Sequence, residues 1–307
     1  MRRLWIIIGS ATFIVLTVII IVFIDADREE GDKTEKRIAI GSKHFTEQEI
    51  TGELMAQIIE NNTDIKVKRR FNLGGTMICF NALKSGDIDL YAEYTGTSLV
   101  NILKKKTMND PERVYSIIKD TFNKEYGLDL LKPFGFNNTY TLTMRRDHAS
   151  ELRVNKISDL LPYVKMLQAG FDAEFLERTD GYQGLVRRYG FKFQKRPKQM
   201  DPGLMYKACA EGEVDVIDGF ATDGRIRAYN LLVLKDDKSF FPPYYAAPLI
   251  RSEVVKKYPE IEEVLNSLAW IISDKIMQRL NYKVDKKEDS AFEVARSFLL
   301  DKGLIGE

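Results

Sequence analysis

The sequence predicts an α/β protein of two lobes with a ligand cleft between them, preceded by an N-terminal membrane helix. Three observations carry this. An apolar run opens the chain, strand-like and helix-like stretches alternate from Arg37 onward, and one stretch of the pattern recurs 126 residues later. Such alternation argues for helices layered on sheets of largely parallel strands. A length of 307 residues suits roughly two domains, and a hydrophobic share of 44% supplies their cores.

Arg2 and Arg3 precede an apolar run from Leu4 to Ile24, broken only by Gly9, Ser10, Thr12 and Thr17. At about 1.5 Å per helical residue the run crosses a hydrocarbon core of about 30 Å. Residues 1–25 are therefore expected to be a transmembrane anchor. The alternative is a signal segment, cleaved to leave a secreted periplasmic chain, but Asp25-Ala26-Asp27 is a weak cleavage match. No cysteine follows the run to carry a lipid. The two arginines favour a cytoplasmic start, which puts the rest of the chain in the periplasm or extracellular space. Residues 26–36 are dense in charge and lack aromatics, the composition of a solvated linker.

The first strand is expected at Arg37–Ile40. Thr46–Glu60 has helical spacing, with Ile50, Leu54, Ile58 and Ile59 on one face. Ile65–Phe71 alternates as a strand, Met77–Lys84 reads as a helix closed by Gly86, and Ile88–Tyr91 is a strand again. Gly86-Asp87-Ile88-Asp89-Leu90 then recurs as Gly212-Glu213-Val214-Asp215-Val216. The same offset sets Ile65-Lys66-Val67 on Phe191-Lys192-Phe193 and Tyr94 on Phe220, and brings Gly75 close to the counterpart of Gly203. Any two βαβ units share some of this pattern; the fixed offset favours two lobes of one plan. An extended Val164–Ala169 would open the second lobe. Lobe one is expected at residues 37–141 and 242–307 and lobe two at 142–241, with crossovers near Tyr140 and Phe241. Helices at Ile261–Leu280 and Ser290–Lys302 would return to lobe one.

In α/β sheets ligands collect beyond the carboxyl ends of strands. Tyr94 and Phe220 both lie there. Lys43 and Arg178 each stand just before an expected helix, where free backbone N–H groups already favour an anion. Aromatic faces attract quaternary ammonium groups, and the two cations can hold a carboxylate. A zwitterion carrying both groups is a betaine. Aromatics packed in a core and solvated cations would explain the same residues.

Several classes are excluded or disfavoured. With 46 Lys plus Arg against 45 Asp plus Glu, no basic excess marks a nucleic-acid partner. Cys79 and Cys209 have no CxxC spacing, and lying in similar helices of different lobes they are expected as buried thiols. Two histidines, His44 and His148, make no multi-histidine metal site. No cofactor is expected, no GxxxxGK[ST] loop is present, and no nucleophile–base constellation suggests an enzyme.

Six separated motifs carry a family resemblance. They are Gly41-Ser42-Lys43-His44-Phe45-Thr46-Glu47-Gln48, Asn72-Leu73-Gly74-Gly75-Thr76, the GDIDLYAEYTGT stretch from Gly86 to Thr97, Glu177-Arg178-Thr179-Asp180-Gly181, Thr222-Asp223-Gly224-Arg225-Ile226 and Phe241-Pro242-Pro243-Tyr244. Together they resemble the glycine betaine/choline-type (osmoprotectant) substrate-binding proteins of ABC transporters. The resemblance implies a two-lobed periplasmic-binding-protein fold of type II that closes on its ligand. It implies an aromatic cage of Tyr94, Tyr140, Phe220 and Tyr244 and carboxylate contacts from Lys43, Thr97 and Arg178. The family commonly has Tyr where this chain has Phe220, so a hydroxyl is lost there. The implied ligand is glycine betaine or a related quaternary ammonium osmoprotectant. Choline, carnitine or ergothioneine are alternatives, as is a role as a membrane-anchored betaine sensor. The implied partners are an ABC permease and its ATPase subunit. Locally, Tyr140 could instead pack in the hinge, Tyr245 could take the place of Tyr244, Lys43 could be solvated, Arg178 could pair with Glu177 or Asp180, and Thr97 could cap a helix.

Overall fold

Two five-stranded sheets share one plan, the second formed by a stretch of chain inserted between the fourth and fifth strands of the first, in a computed structural model that describes residues 35–287 and 289–306. The expected membrane segment, residues 1–25, and the linker up to residue 34 lie outside the described residues. Among the described residues no helix is long and apolar enough to cross a membrane.

The first sheet has the order β2-β1-β3-β10-β4, formed by β1 (Arg37–Lys43), β2 (Lys66–Gly74), β3 (Leu90–Tyr94), β4 (Leu128–Leu130) and β10 (Ala246–Arg251). The second has the order β7-β6-β8-β5-β9, formed by β5 (Tyr140–Arg145), β6 (Ala169–Phe171), β7 (Lys198–Gln199), β8 (Val216–Phe220) and β9 (Leu231–Leu234). The central β3 is buried at all five positions, as expected for a strand covered on both faces. The helices used below are α1 (Thr46–Asn62), α2 (Thr76–Ser85), α3 (Ala173–Glu177), α4 (Tyr182–Tyr189), α5 (Pro202–Glu211), α6 (Gly224–Ala228), α7 (Glu260–Asn266), α8 (Asp274–Lys287) and α9 (Ala291–Asp301). In α1 the predicted apolar face is fully inside, with Ile50, Leu54, Ile58 and Ile59 all buried. Each contributes about 1.5–3 kcal/mol relative to exposure.

The sheets are mixed rather than largely parallel. β1 runs parallel to β3 and β6 parallel to β8, but β10 is antiparallel to β3 and β5 antiparallel to β8. The reason is connectivity: the fourth place in each sheet is filled by the strand that arrives from the other sheet. The internal repeat is physical. Gly86 and Gly212 both close their helices in the left-handed region, at φ 82° and 80°. Asp89 and Asp215 both return a carboxylate to a backbone amide, of Ala39 at 2.7 Å and of Gln168 at 2.8 Å. The counterpart of Gly75 is Asp201, two residues before Gly203, since these two are the N-caps of α2 and α5.

Some boundaries move for local reasons. The strand expected at Ile88–Tyr91 is Leu90–Tyr94, because the amides of Asp87 and Ile88 still bond the Ala82 carbonyl at the helix end. Of the segment matching β2, only Lys198–Gln199 pairs as a strand, while Phe191 and Phe193 turn into the core. The strand expected at Val164–Ala169 is Ala169–Phe171, and Val164 packs inside from a turn. The single helix expected at Ile261–Leu280 is α7 and α8, separated where Trp270 takes φ 61° and the amides of Trp270 and Ile272 bond the carbonyls of Pro133 and Phe134. α7 and α9 pack on α1, and α8 packs on both α1 and α6, so it touches both halves. Cys79 and Cys209 are free and buried, and burial pushes both thiols up to about 12.

Candidate ligand-binding site

The carboxyl ends of β1, β3 and β8 open on one cavity of about 400 Å³. Tyr94 ends β3, Phe220 ends β8, and Tyr140 begins β5 directly opposite Phe220 in the antiparallel register. Tyr244 arrives from the crossover before β10. All four line the cavity, joined by Phe45. Tyr140 lies 5.1 Å from Phe220 and meets Tyr244 edge-on at 5.6 Å and 82°. Phe45 stacks on Phe220 at 6.0 Å and on Tyr94 at 6.3 Å.

The choice between Tyr244 and Tyr245 follows from backbone bonding. Thr95 Oγ1 donates to the Pro243 carbonyl at 2.9 Å and accepts from the Tyr245 amide at 3.0 Å. This fixes the register with Tyr244 facing the cavity, and Tyr245 packs against Trp270 outside it. Gly96 makes room: a Cβ there would meet the Tyr244 ring at 2.7 Å.

The predicted polar residues fare differently. Lys43, at the end of β1, is buried and lines the cavity; its Nζ donates to Glu93 Oε1 at 2.7 Å and Thr76 Oγ1 at 3.0 Å. Thr97 lines the cavity and makes no side-chain cap to the helical turn after it. Arg178 does not line this cavity. It stands behind the rings, 5.4 Å from Tyr140 and 5.8 Å from Tyr244, in a bidentate pair with Asp180 at 2.9 and 2.7 Å. Asp180 also accepts from the Tyr244 hydroxyl. Arg178 is therefore held by Asp180, with Glu174 rather than Glu177 as its second acid, at 3.9 Å. Among the described residues its Nη1 has no hydrogen-bond partner. Burial pushes the hydroxyls of Tyr94, Tyr140 and Tyr244 well up, so the rings stay neutral.

Sequence reasoning missed Phe45, Asn138, Asp172 and Glu174, all in the cavity wall, and Glu47 just behind it. Phe45 and Glu47 sit inside the first quoted motif and alternate with Lys43 along one segment, which is the signal that was there to read. Glu47 accepts from Tyr94 Oη and Asn138 Nδ2, each at 2.7 Å, from Asn281 Nδ2 at 3.1 Å, and from Thr222 Oγ1. Burial pushes its carboxyl up to about 7 despite these donors. The Asp172 amide donates to Asp218 Oδ1 at 2.9 Å, and burial, with Asp172 adding to it, pushes the Asp218 carboxyl well above the usual range. His44 lines the cavity from an exposed position, and among the described residues no metal-ligating cluster forms.

The chain resembles known proteins over most of its length. It is 39% identical over 272 residues to the carnitine transport binding protein OpuCC of Listeria monocytogenes, covering 88% of each chain. It is 39% identical over 271 residues to the ergothioneine transport permease/ergothioneine binding protein EgtU of Helicobacter pylori, covering 88% of this chain and 48% of that one. A crystal structure of a glycine betaine/carnitine/choline ABC transporter protein superposes with a TM-score of 0.75 at 35% identity, over 87% of this chain and 99% of the other. The family described as the substrate binding domain of ABC-type glycine betaine transport systems matches residues 36–301, and the chain belongs to that family.

Proposed function

We propose that the chain is the extracytoplasmic substrate-binding component of an ABC importer for glycine betaine or a related quaternary ammonium osmoprotectant. The observation that carries this is the ring of Tyr94, Tyr140, Phe220 and Tyr244 around one cavity between two sheets. Each ring facing a trimethylammonium group contributes about 0.5–2 kcal/mol, and three or four of them bring a small ligand to about −8 kcal/mol, or micromolar binding. Lys43 and Thr97, which line the cavity, supply anion contacts, while Arg178 stands behind the rings and is held by Asp180. The two lobes close on the ligand, driven by its greater affinity for the closed state. The closed form docks on a permease, and a separate subunit consumes ATP. The relative that joins a permease to its binding protein in one chain supports such a partner. Residues 1–25 anchor the chain in the membrane with the binding lobes outside the cytoplasm.

The test is isothermal titration of the full-length chain in detergent with glycine betaine, choline, carnitine and ergothioneine in parallel. Saturable micromolar heat with one of them is expected. Silence from all four in a folded preparation overturns the reading.

A further inference from the structure

The two halves repeat each other closely, so a place where the repeat fails carries information. α2 and α5 hold equivalent positions, and their N-caps are Gly75 and Asp201. In α5 the cap is local: Asp201 Oδ1 accepts the Gly203 amide at 2.6 Å. In α2 the cap residue has no side chain, and the acceptor comes from the opposite half. The Thr76 amide donates to Glu174 Oε1 at 3.2 Å. A Cβ at position 75 would meet that same oxygen at 2.7 Å.

Glu174 stands among the groups that would hold a ligand carboxylate. Its other oxygen is 3.9 Å from Arg178 Nη1, which is buried and has no hydrogen-bond partner among the described residues. Lys43 Nζ bonds the Thr76 hydroxyl beside the same helix start. Lys43 and Arg178 already have buried counter-ions in Glu93 and Asp180. Glu174 is thus a third carboxylate in this group, near Arg178 through one oxygen and on the Thr76 amide through the other, and its side chain is 40% exposed, so it can leave for solvent.

We propose that Glu174 is the specificity-determining residue of this cavity: it takes the position of a ligand carboxylate at the start of α2, and so favours a quaternary ammonium alcohol over a betaine. This rests on the reading of the cavity as a quaternary ammonium site. A ligand without a carboxylate leaves Glu174 on the Thr76 amide, where it clasps the two halves together and adds its negative charge to the cationic head. A betaine must displace it, or bring a second carboxylate against it, and like charges brought together reject a ligand as effectively as a clash.

The test is titration of the full-length chain in detergent with choline and glycine betaine, in the native protein and in Glu174→Ala, Glu174→Gln and Glu177→Gln. The native protein is expected to prefer choline. Glu174→Ala shifts the ratio of dissociation constants toward betaine by about tenfold, the scale of 1.4 kcal/mol. Glu174→Gln, which keeps the acceptor but loses the charge, shifts it less. Glu177→Gln, the same charge change at an exposed position, leaves it unchanged. An unaltered ratio in Glu174→Ala, or a native preference for betaine, overturns the proposal alone. Silence of the native chain toward both ligands overturns it together with the reading of the cavity.

Discussion

Phe45 and Phe220 lie face to face, ring planes 3° apart and centroids at 6.0 Å, although one follows β1 of the first sheet and the other ends β8 of the second. Phe45 also stacks on Tyr94, so it links the two strand ends that the internal repeat makes equivalent. A stacked pair adds about 0.5–1.5 kcal/mol beyond its buried area. Phe45→Ala is therefore expected to weaken ligand binding by about tenfold. Titration decides it: an unchanged dissociation constant removes Phe45 from the wall that holds the ligand.

Tyr244 does two jobs that substitutions can separate. Its ring faces the cavity, and its hydroxyl joins the Arg178–Asp180 pair. Tyr244→Phe keeps the ring and is expected to bind ligand within a few-fold of the native protein while losing about 1–3 kcal/mol of stability, because buried partners are left unsatisfied. Tyr244→Ala removes the ring and is expected to abolish most binding, as is Tyr94→Ala. Gly96→Ala should resemble Tyr244→Ala, since its methyl group would push on the ring and on the Pro243 carbonyl. If Tyr244→Phe binds as poorly as Tyr244→Ala, the hydroxyl rather than the ring carries the interaction.

The sequence made legible whatever is written as a local pattern or repeated at a fixed offset. α1 was visible because its apolar residues recur at helical spacing, and the two strand ends because Tyr94 and Phe220 stand 126 residues apart. The antiparallel β5 and β10 were not visible, because the direction of a strand that crosses from one sheet to the other is set by long-range pairing alone. The same limit hid Glu174. Its bond to the Thr76 amide joins residues 98 positions apart, and nothing in the stretch around it marks that contact. Arg178 shows the opposite case: both a ligand contact and a pair with Asp180 were legible, and Asp180, two residues on, takes its Nε and one Nη2 donor.

That pairing changes what an Arg178 substitution reports. The Asp180 side chain is fully buried, and removing its partner leaves an uncompensated charge. Arg178→Ala is expected to cost about 3–5 kcal/mol of stability, whichever ligand is tested. The double variant Arg178→Ala, Asp180→Asn should recover part of it. Urea unfolding of the single and double variants gives the coupling, and a single variant as stable as the native protein would show that solvent reaches Asp180.

Glu47 makes the stability of the protein depend on pH. It belongs to α1, and its four donors come from β3, the first crossover, the turn after β8 and α8. Burial outweighs these donors and pushes the carboxyl from an ordinary 4.5 to about 7. For an acid raised in the folded state, the proton is bound more tightly folded than unfolded. Its contribution is fully present below about pH 4.5 and is lost as pH rises through about 7. A shift of this size corresponds to about 3 kcal/mol. Denaturant unfolding between pH 4.5 and 8 should therefore show the native protein losing stability relative to Glu47→Gln, whose side chain does not titrate. Asp218 and Asp285, which burial also raises, contribute to both curves and cancel in the difference. Parallel curves for the two proteins would mean that the four donors hold Glu47 ionised throughout, and the join between the halves would then be independent of pH.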